Sequence, residues 1–110
     1  MNNQNWVSVI IVLAILVFAY FVITRDKTQV TEEVAQCIGQ KSTLYVQLGC
    51  THCKTQEEMF GDYYQYLTFI DCVYEREKCS DIEGTPTWKI NGINYKGIQS
   101  IEKLRELTGC

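Results

Sequence analysis

The residues best suited to chemistry are Cys50-Thr51-His52-Cys53. Two thiols separated by two residues can close a small disulfide and reopen it by exchange. The run Thr43–Leu48 reads as a buried strand and Thr51–Tyr66 as an amphipathic helix, so the pair stands where a strand hands over to a helix. A helix N-terminus offers unpaired backbone N–H groups and a partial positive charge, and both favour a thiolate. The thiolate is the attacking species in disulfide exchange. The pattern therefore predicts thiol–disulfide oxidoreduction, with Cys50 attacking and Cys53, one turn in, resolving the mixed disulfide. His52 has two readings. As a solvated surface residue it does nothing. As an imidazolium beside the thiolate it lowers the Cys50 pKa and makes the disulfide more oxidising. Haem attachment requires Cys-x-x-Cys-His, and Lys54 follows Cys53, so that chemistry is excluded.

A reading from another class is a structural zinc module built from Cys50, Cys53, Cys72 and Cys79. Four thiolates suit tetrahedral zinc, but Cys72 and Cys79 stand further apart than the roughly two to four residues usual in such sites. No metal and no other cofactor is expected. Within redox chemistry, the motif does not choose between an oxidase partner, a reductase and an isomerase.

The elements that must position the pair follow from periodicity and from turn residues. The chain has 110 residues, room for one small domain. It opens with an apolar block, Trp6 to Ile23, that holds no charge. At 1.5 Å per residue such a block spans roughly one bilayer core. The residues before it carry no Lys or Arg, and its far end has no small-residue cleavage site, so an uncleaved anchor is expected over 1–24. A linker at 25–30 and a folded domain at 31–110 follow. Thr31 is placed to cap a helix that begins Glu32-Glu33 and stops at Gly39, with Val30 and Ala35 as a hydrophobic staple. Met59, Phe60, Tyr63 and Leu67 recur at helical spacing, and Gly61 bends or ends their helix. Thr68-Phe69-Ile70 reads as a second strand, and a polar helix or turn covers Glu75 to Ile82. Asn91-Gly92 between Trp88-Lys89-Ile90 and Ile93-Asn94-Tyr95 signals a two-residue hairpin. Ser100 caps a last helix with Ile101, Leu104 and Leu107 on one side, closed by Gly109. The sum is an α/β class: a small central sheet flanked by helices, after one apolar helix.

Net charge is −3 and all charged residues follow the apolar block. No basic stripe points to nucleic acid. Six cysteines in so short a chain point to an oxidising compartment. Arg25, Lys27 and Lys41 after the block, against none before it, place the domain in the cytoplasm by the positive-inside rule. The cysteines are the stronger signal, so an extracytoplasmic domain is expected.

This order resembles the thioredoxin fold, with Cys50-x-x-Cys53 after a strand and Thr85-Pro86 before a hairpin. It is similar, more closely, to the thioredoxin-like domain associated with vitamin K epoxide reductase homologues. The residues that carry the resemblance are Leu44-Tyr45, Cys50-x-His52-Cys53-x-x-Gln56, Met59-Phe60-Gly61, Cys72 with Cys79, Gly84-Thr85-Pro86-Thr87-Trp88, Ile90-Asn91-Gly92, Tyr95-x-Gly97 and Leu104-x-x-Leu107-Thr108-Gly109-Cys110. Two positions depart from the family's common pattern: Thr51 stands where proline is usual, and Gly49 where an aromatic is usual.

The resemblance implies a membrane-tethered enzyme that passes electrons from substrate protein thiols to a vitamin K epoxide reductase-like integral membrane protein. It also implies a cis Thr85–Pro86 bond; a lone proline starting an edge strand in the ordinary trans form is the alternative. In the cis geometry the Thr85 backbone, with Thr51 and Pro86, faces Cys50 and pairs with an extended substrate. With Cys50 and Cys53 taken as the active pair, chain proximity favours Cys72–Cys79 as a second bridge, structural or a redox relay. Cys37 and Cys110 then remain to tie the first domain helix to the chain end, with Cys37 as an ordinary buried thiol the alternative. Tyr63, Tyr64 and Tyr66 are expected to pack and not to bind a ligand.

Overall fold

The computed structural model describes residues 3–24 and 30–110. Residues 25–29 of the expected linker, with Arg25 and Lys27, lie outside the described residues. Val30, at the end of that expected linker, packs against the domain core.

Helix α1 spans Asn3–Thr24, somewhat longer than the apolar block alone, because Asn3 to Asn5 and Thr24 continue its turns. Its side chains are exposed all round. A helix apolar on every face with nothing packed on it is suited to a lipid surround. Its 22 residues are long and apolar enough to cross a membrane.

Helix α2 spans Glu32–Lys41. Thr31 caps it, its hydroxyl oxygen accepting from the Val34 N–H at 3.3 Å, and Glu32 and Glu33 sit at the positive end of the helix dipole. Gly39 does not stop this helix. It is buried at a place where a Cβ would collide with the Tyr66 carbonyl, so the glycine serves close packing, and the helix runs two residues further.

Strand β1 (Ser42–Val46) begins directly after α2. It ends before Leu48, short of the sequence expectation, because the chain turns through Gln47 to Gly49. Gly49 takes a left-handed φ of 84°, and Leu48 is left exposed. Helix α3 spans Thr51–Phe60. Gly61, with φ 55°, ends it, and a 3-10 segment Gly61–Tyr66 continues in place of the α-helix expected to Tyr66. Strand β2 (Phe69–Asp71) and a short 3-10 turn Arg76–Cys79 follow. Strands β3 (Thr87–Ile90) and β4 (Ile93–Lys96) form the hairpin. Asn91 and Gly92 both have positive φ, 52° and 79°, as the favoured two-residue turn requires. Helix α4 spans Ile101–Thr108, capped by the Ser100 hydroxyl and ended by left-handed Gly109.

The sheet order is β2-β1-β3-β4. β1 and β2 are parallel with Leu44 opposite Phe69. β1 and β3 are antiparallel with Leu44 opposite Trp88, and Trp88 faces Tyr95 across the hairpin. Ala35 and Ile38 of α2, Phe60 of α3 and Ile101 and Leu104 of α4 bury against Leu44, Trp88 and Ile90. This mixed sheet flanked by helices is consistent with the thioredoxin-like fold. It puts the C-terminal end of the inner strand β1 one short turn, Gln47 to Gly49, before Cys50.

Candidate functional site

Cys50 is the residue that caps α3. Its chain direction is set by the Cys50 N–H donating to the Gln47 carbonyl at 3.0 Å, which turns the backbone from strand to helix. Its Sγ accepts from the Cys53 N–H at 3.1 Å. The cysteine thereby takes the place usually held by Ser, Thr or Asp at a helix start. A sulfur there gains most when it carries a negative charge, because the N–H and the helix dipole both stabilise an anion.

Cys50 and Cys53 form a disulfide with Cα atoms 5.2 Å apart. The two partners differ in access. Cys50 is half-buried at the rim, while Cys53 is only 6 % exposed and belongs to the core. An incoming sulfur therefore meets Cys50 more readily than Cys53. Thr51 and His52 are both exposed on the first turn.

Thr85 and Pro86, just before β3, meet this pair. The Thr85–Pro86 bond is cis, Pro86 is buried, and the Thr85 carbonyl oxygen lies 3.6 Å from Cys50 Sγ. The disulfide sulfur has no proton, so this is a contact in the oxidised form. On reduction the Cys50 thiol has an acceptor waiting. A hydrogen bond made by the neutral thiol favours the thiol, whereas the Cys53 N–H favours the thiolate. The two partners thus pull the Cys50 pKa in opposite directions.

A groove of about 670 Å³ opens beside Cys50, bounded by Leu48, Lys54, Glu57, Tyr64, Phe69 and Asp71. Its lining includes the stacked pair Tyr64 and Phe69, with ring centroids 5.2 Å apart. Burial, then the Glu57 and Asp71 carboxylates, push the Tyr64 hydroxyl above its ordinary pKa. Tyr64 therefore lines the groove beside Cys50 as well as packing, where packing alone is the expectation from sequence. Tyr63 and Tyr66 stack on each other, and Tyr66 donates to Glu32 at 2.8 Å, joining the 3-10 segment to α2.

The remaining cysteines are all paired. Cys72–Cys79 closes the loop after β2, with Cα atoms 5.8 Å apart. Both line a depression of about 260 Å³ that also includes Gln47 and Thr85. Cys37–Cys110 joins α2 to the chain end, 73 positions away in sequence. Among the described residues, no three His, Cys, Asp or Glu side chains are grouped to hold a metal. The four cysteines of the zinc alternative stand in two separate disulfides.

Gln56 enters the sequence analysis only as part of the Cys50-x-His52-Cys53-x-x-Gln56 pattern, with no role attached. It lies three residues after Cys53, on the buried face with Cys53 and Phe60, and is 0 % exposed. Its Oε1 accepts from Trp88 Nε1 at 3.0 Å and from the Gln99 N–H at 2.7 Å. Its Nε2 donates to the Gln99 carbonyl at 3.0 Å. The available signal was a polar side chain at core spacing in α3, which demands buried partners.

No family model matches this chain. Over 83 aligned residues it is 36% identical to thiol-disulfide oxidoreductase LTO1 of Arabidopsis thaliana. The match takes in 66% of this chain and 22% of that protein, so the chain spans about a fifth of the length of the curated relative it matches.

Proposed function

We propose that this chain is a membrane-tethered thiol–disulfide oxidoreductase working through Cys50 and Cys53. The observation that carries the reading is the placing of Cys50 Sγ as the cap of α3, at the accessible rim and 3.6 Å from the Thr85 carbonyl, with Cys53 buried behind it. The name of the plant relative supports the same chemistry.

In the oxidised state a substrate thiolate attacks Cys50 Sγ. A new S–S bond forms to the substrate, the Cys50–Cys53 bond breaks, and Cys53 leaves with the electron pair as a thiolate. A second substrate thiolate then attacks the substrate sulfur of that mixed disulfide, and Cys50 leaves as a thiolate held by the Cys53 N–H. The substrate has lost two electrons to the pair. His52 on the exposed first turn stabilises the Cys50 thiolate when protonated. Thr51, Thr85 and Pro86 form the wall along which an extended substrate segment lies, in the manner of strand addition.

The reduced pair must be reoxidised, and a vitamin K epoxide reductase-like membrane protein is the acceptor this reading assigns. The division is an anchor at 1–24, a linker at 25–30 and a catalytic domain at 31–110. The extracytoplasmic side is the assigned location, because six cysteines closed into three disulfides belong to an oxidising compartment. A tether raises the effective concentration of the domain toward a membrane-embedded partner.

The test is trapping. Cys53→Ser is expected to accumulate mixed disulfides with partner proteins, visible as adducts that a reductant removes, while Cys50→Ser forms none and loses turnover of thiols. Full turnover by Cys50→Ser would refute the assignment. The reduction potential of the pair, measured against glutathione, decides between oxidase partner and reductase.

A further inference from the structure

We infer that Gln56 is a positioning residue for Cys50, its amide holding α3 in register with the Thr85 segment when the Cys50–Cys53 bond opens. The inference rests on the exchange reading above and concerns a residue outside the reacting group.

An apolar side chain at position 56 would serve the core at least as well, since a buried amide must recover its lost hydration through hydrogen bonds. Gln56 recovers all of it. An amide offers two donor hydrogens and a carbonyl oxygen with two lone pairs. Here Oε1 accepts from Trp88 Nε1 and from the Gln99 N–H, and Nε2 donates to the Gln99 carbonyl and to Met59 Sδ, the last at 3.5 Å. The paired bonds to the N–H and the carbonyl of Gln99, which belong to two successive peptide units, hold the amide from both of its ends. The indole of Trp88 fixes it along a second direction. Trp88 is itself 0 % exposed and held between Leu44 and Tyr95 in the sheet.

These bonds close a ring of contacts around the site. From Cys50 the chain runs along α3 to Gln56. Gln56 binds Trp88, and three residues back from Trp88 is Thr85, whose carbonyl returns to Cys50 at 3.6 Å. The polar part of the link between α3 and the β3 approach is thus this one amide, beside the apolar contact of Phe60 with Trp88. In the oxidised form the Cys50–Cys53 disulfide adds a second restraint on Cys50. In the reduced form it is gone, and the Gln56 hydrogen bonds, with the Phe60–Trp88 contact, hold the register.

The two sources of Cys50 reactivity depend on the clamp differently. The Cys53 N–H and the helix N-terminus belong to α3 and travel with Cys50. The Thr85 backbone belongs to the segment leading into β3 and does not. A small electrophile needs only the first. An extended peptide disulfide needs both at once, because it must lie along Thr85 while its sulfur meets Cys50.

The experiment uses the full chain in detergent micelles in a Cys53→Ser background, where reaction stops after one step. In that step the Cys50 thiolate attacks a peptide disulfide, forms the mixed disulfide and releases the other half as a thiolate. Rates are measured with a linear peptide disulfide and with iodoacetamide across pH. Gln56→Met is expected to slow the peptide reaction about tenfold or more, within the range that small misplacements cost. Iodoacetamide, compared at full ionisation, should change less than about threefold. The Cys50 pKa should move down, because the thiol loses its Thr85 acceptor. Trp88→Phe keeps the ring packing, removes one of the bonds and should act in the same direction more weakly. That variant carries the test if Gln56→Met does not fold. Equal loss with both reagents, or a peptide rate within about twofold of the parent, would overturn the inference. A parent chain that reacts with iodoacetamide but never with disulfides would instead overturn the exchange reading.

Discussion

Removing Cys37–Cys110 should destabilise the domain far more than removing Cys72–Cys79. The two bridges close loops of very different size, with sequence separations of 73 and 7. A cross-link stabilises chiefly by restricting the unfolded chain, and the restriction grows with the logarithm of loop length. The chain-entropy relation gives about 4.5 kcal/mol for the long loop and about 2.4 kcal/mol for the short one at 25 °C. The long bridge thus represents a large share of the roughly 5–15 kcal/mol that holds a typical domain together. Its structural setting adds to the asymmetry. Cys37 lies on the helix that carries Ala35 and Ile38 into the core, and Cys110 follows the helix that carries Ile101 and Leu104 there. The short loop carries mostly exposed residues, including Tyr74 and Lys78. The assay is denaturant unfolding of the full chain in micelles, followed by the fluorescence of buried Trp88 in Cys37→Ala/Cys110→Ala and Cys72→Ala/Cys79→Ala. The expected order is a loss about 2 kcal/mol larger for the first pair. Equal losses, or the reverse order, would refute the reasoning and show that native-state contacts of the short loop outweigh loop entropy.

Three further outcomes are expected. His52→Ala should raise the Cys50 thiol pKa, read from thiolate absorbance against pH, and make the disulfide less oxidising, because a cation beside the thiolate is lost; an unchanged or lower pKa would exclude His52 as the tuning group. Lys89 donates to Asp81 at 2.7 Å, and this bond, then that from Asn94, holds the Asp81 carboxyl below its ordinary pKa. A depressed folded-state pKa confers stability that is complete above the unfolded carboxyl's value and is lost as pH falls through the folded one. Asp81→Asn should therefore flatten the acid side of the stability profile and leave no difference in slope at neutral pH. A membrane-impermeant maleimide applied to intact cells after mild reduction should label the cysteines; labelling only after lysis would place the domain in the cytoplasm and change the proposed role.

The elements were legible where a local rule and the tertiary setting agree. Thr31 and Ser100 cap the helices that their spacing announces, and Asn91-Gly92 makes the turn that only positive φ allows. The rule failed where a long-range contact decided the outcome. Gly39 looks like a helix stop because glycine ends helices, yet its missing Cβ is needed for the Tyr66 carbonyl to approach. Gly61 carried two possibilities in the sequence, and its left-handed φ resolves them in favour of an end. Cys50 and Cys53 stand out in the sequence because their spacing and the strand-to-helix junction are local, and the structure places them at that junction. The Gln56 clamp was not, since its partners Trp88 and Gln99 lie 32 and 43 positions away.

Gly49 and Thr51, the two positions that depart from the commoner pattern, have local physical explanations at the site. Gly49 takes φ 84° with no atom within 4 Å of where a Cβ would stand. Space does not demand glycine there; backbone conformation does, because a bulky side chain in the left-handed region is strained. An aromatic residue before Cys50 would therefore push the turn toward another shape and move the cap. Thr51 stands at the first position of α3. Proline fits that position well but has no N–H. With threonine, α3 keeps one more unpaired donor at its positive end, next to the sulfur that already accepts from Cys53. Each N–H directed toward that end stabilises the thiolate relative to the disulfide. The departure at position 51 thus acts in the same direction as a protonated His52, while the Thr85 carbonyl acts against both by accepting from the thiol. Under the proposed exchange chemistry, the donors at the start of α3 and the Thr85 carbonyl before β3 act on the Cys50 sulfur in opposite directions.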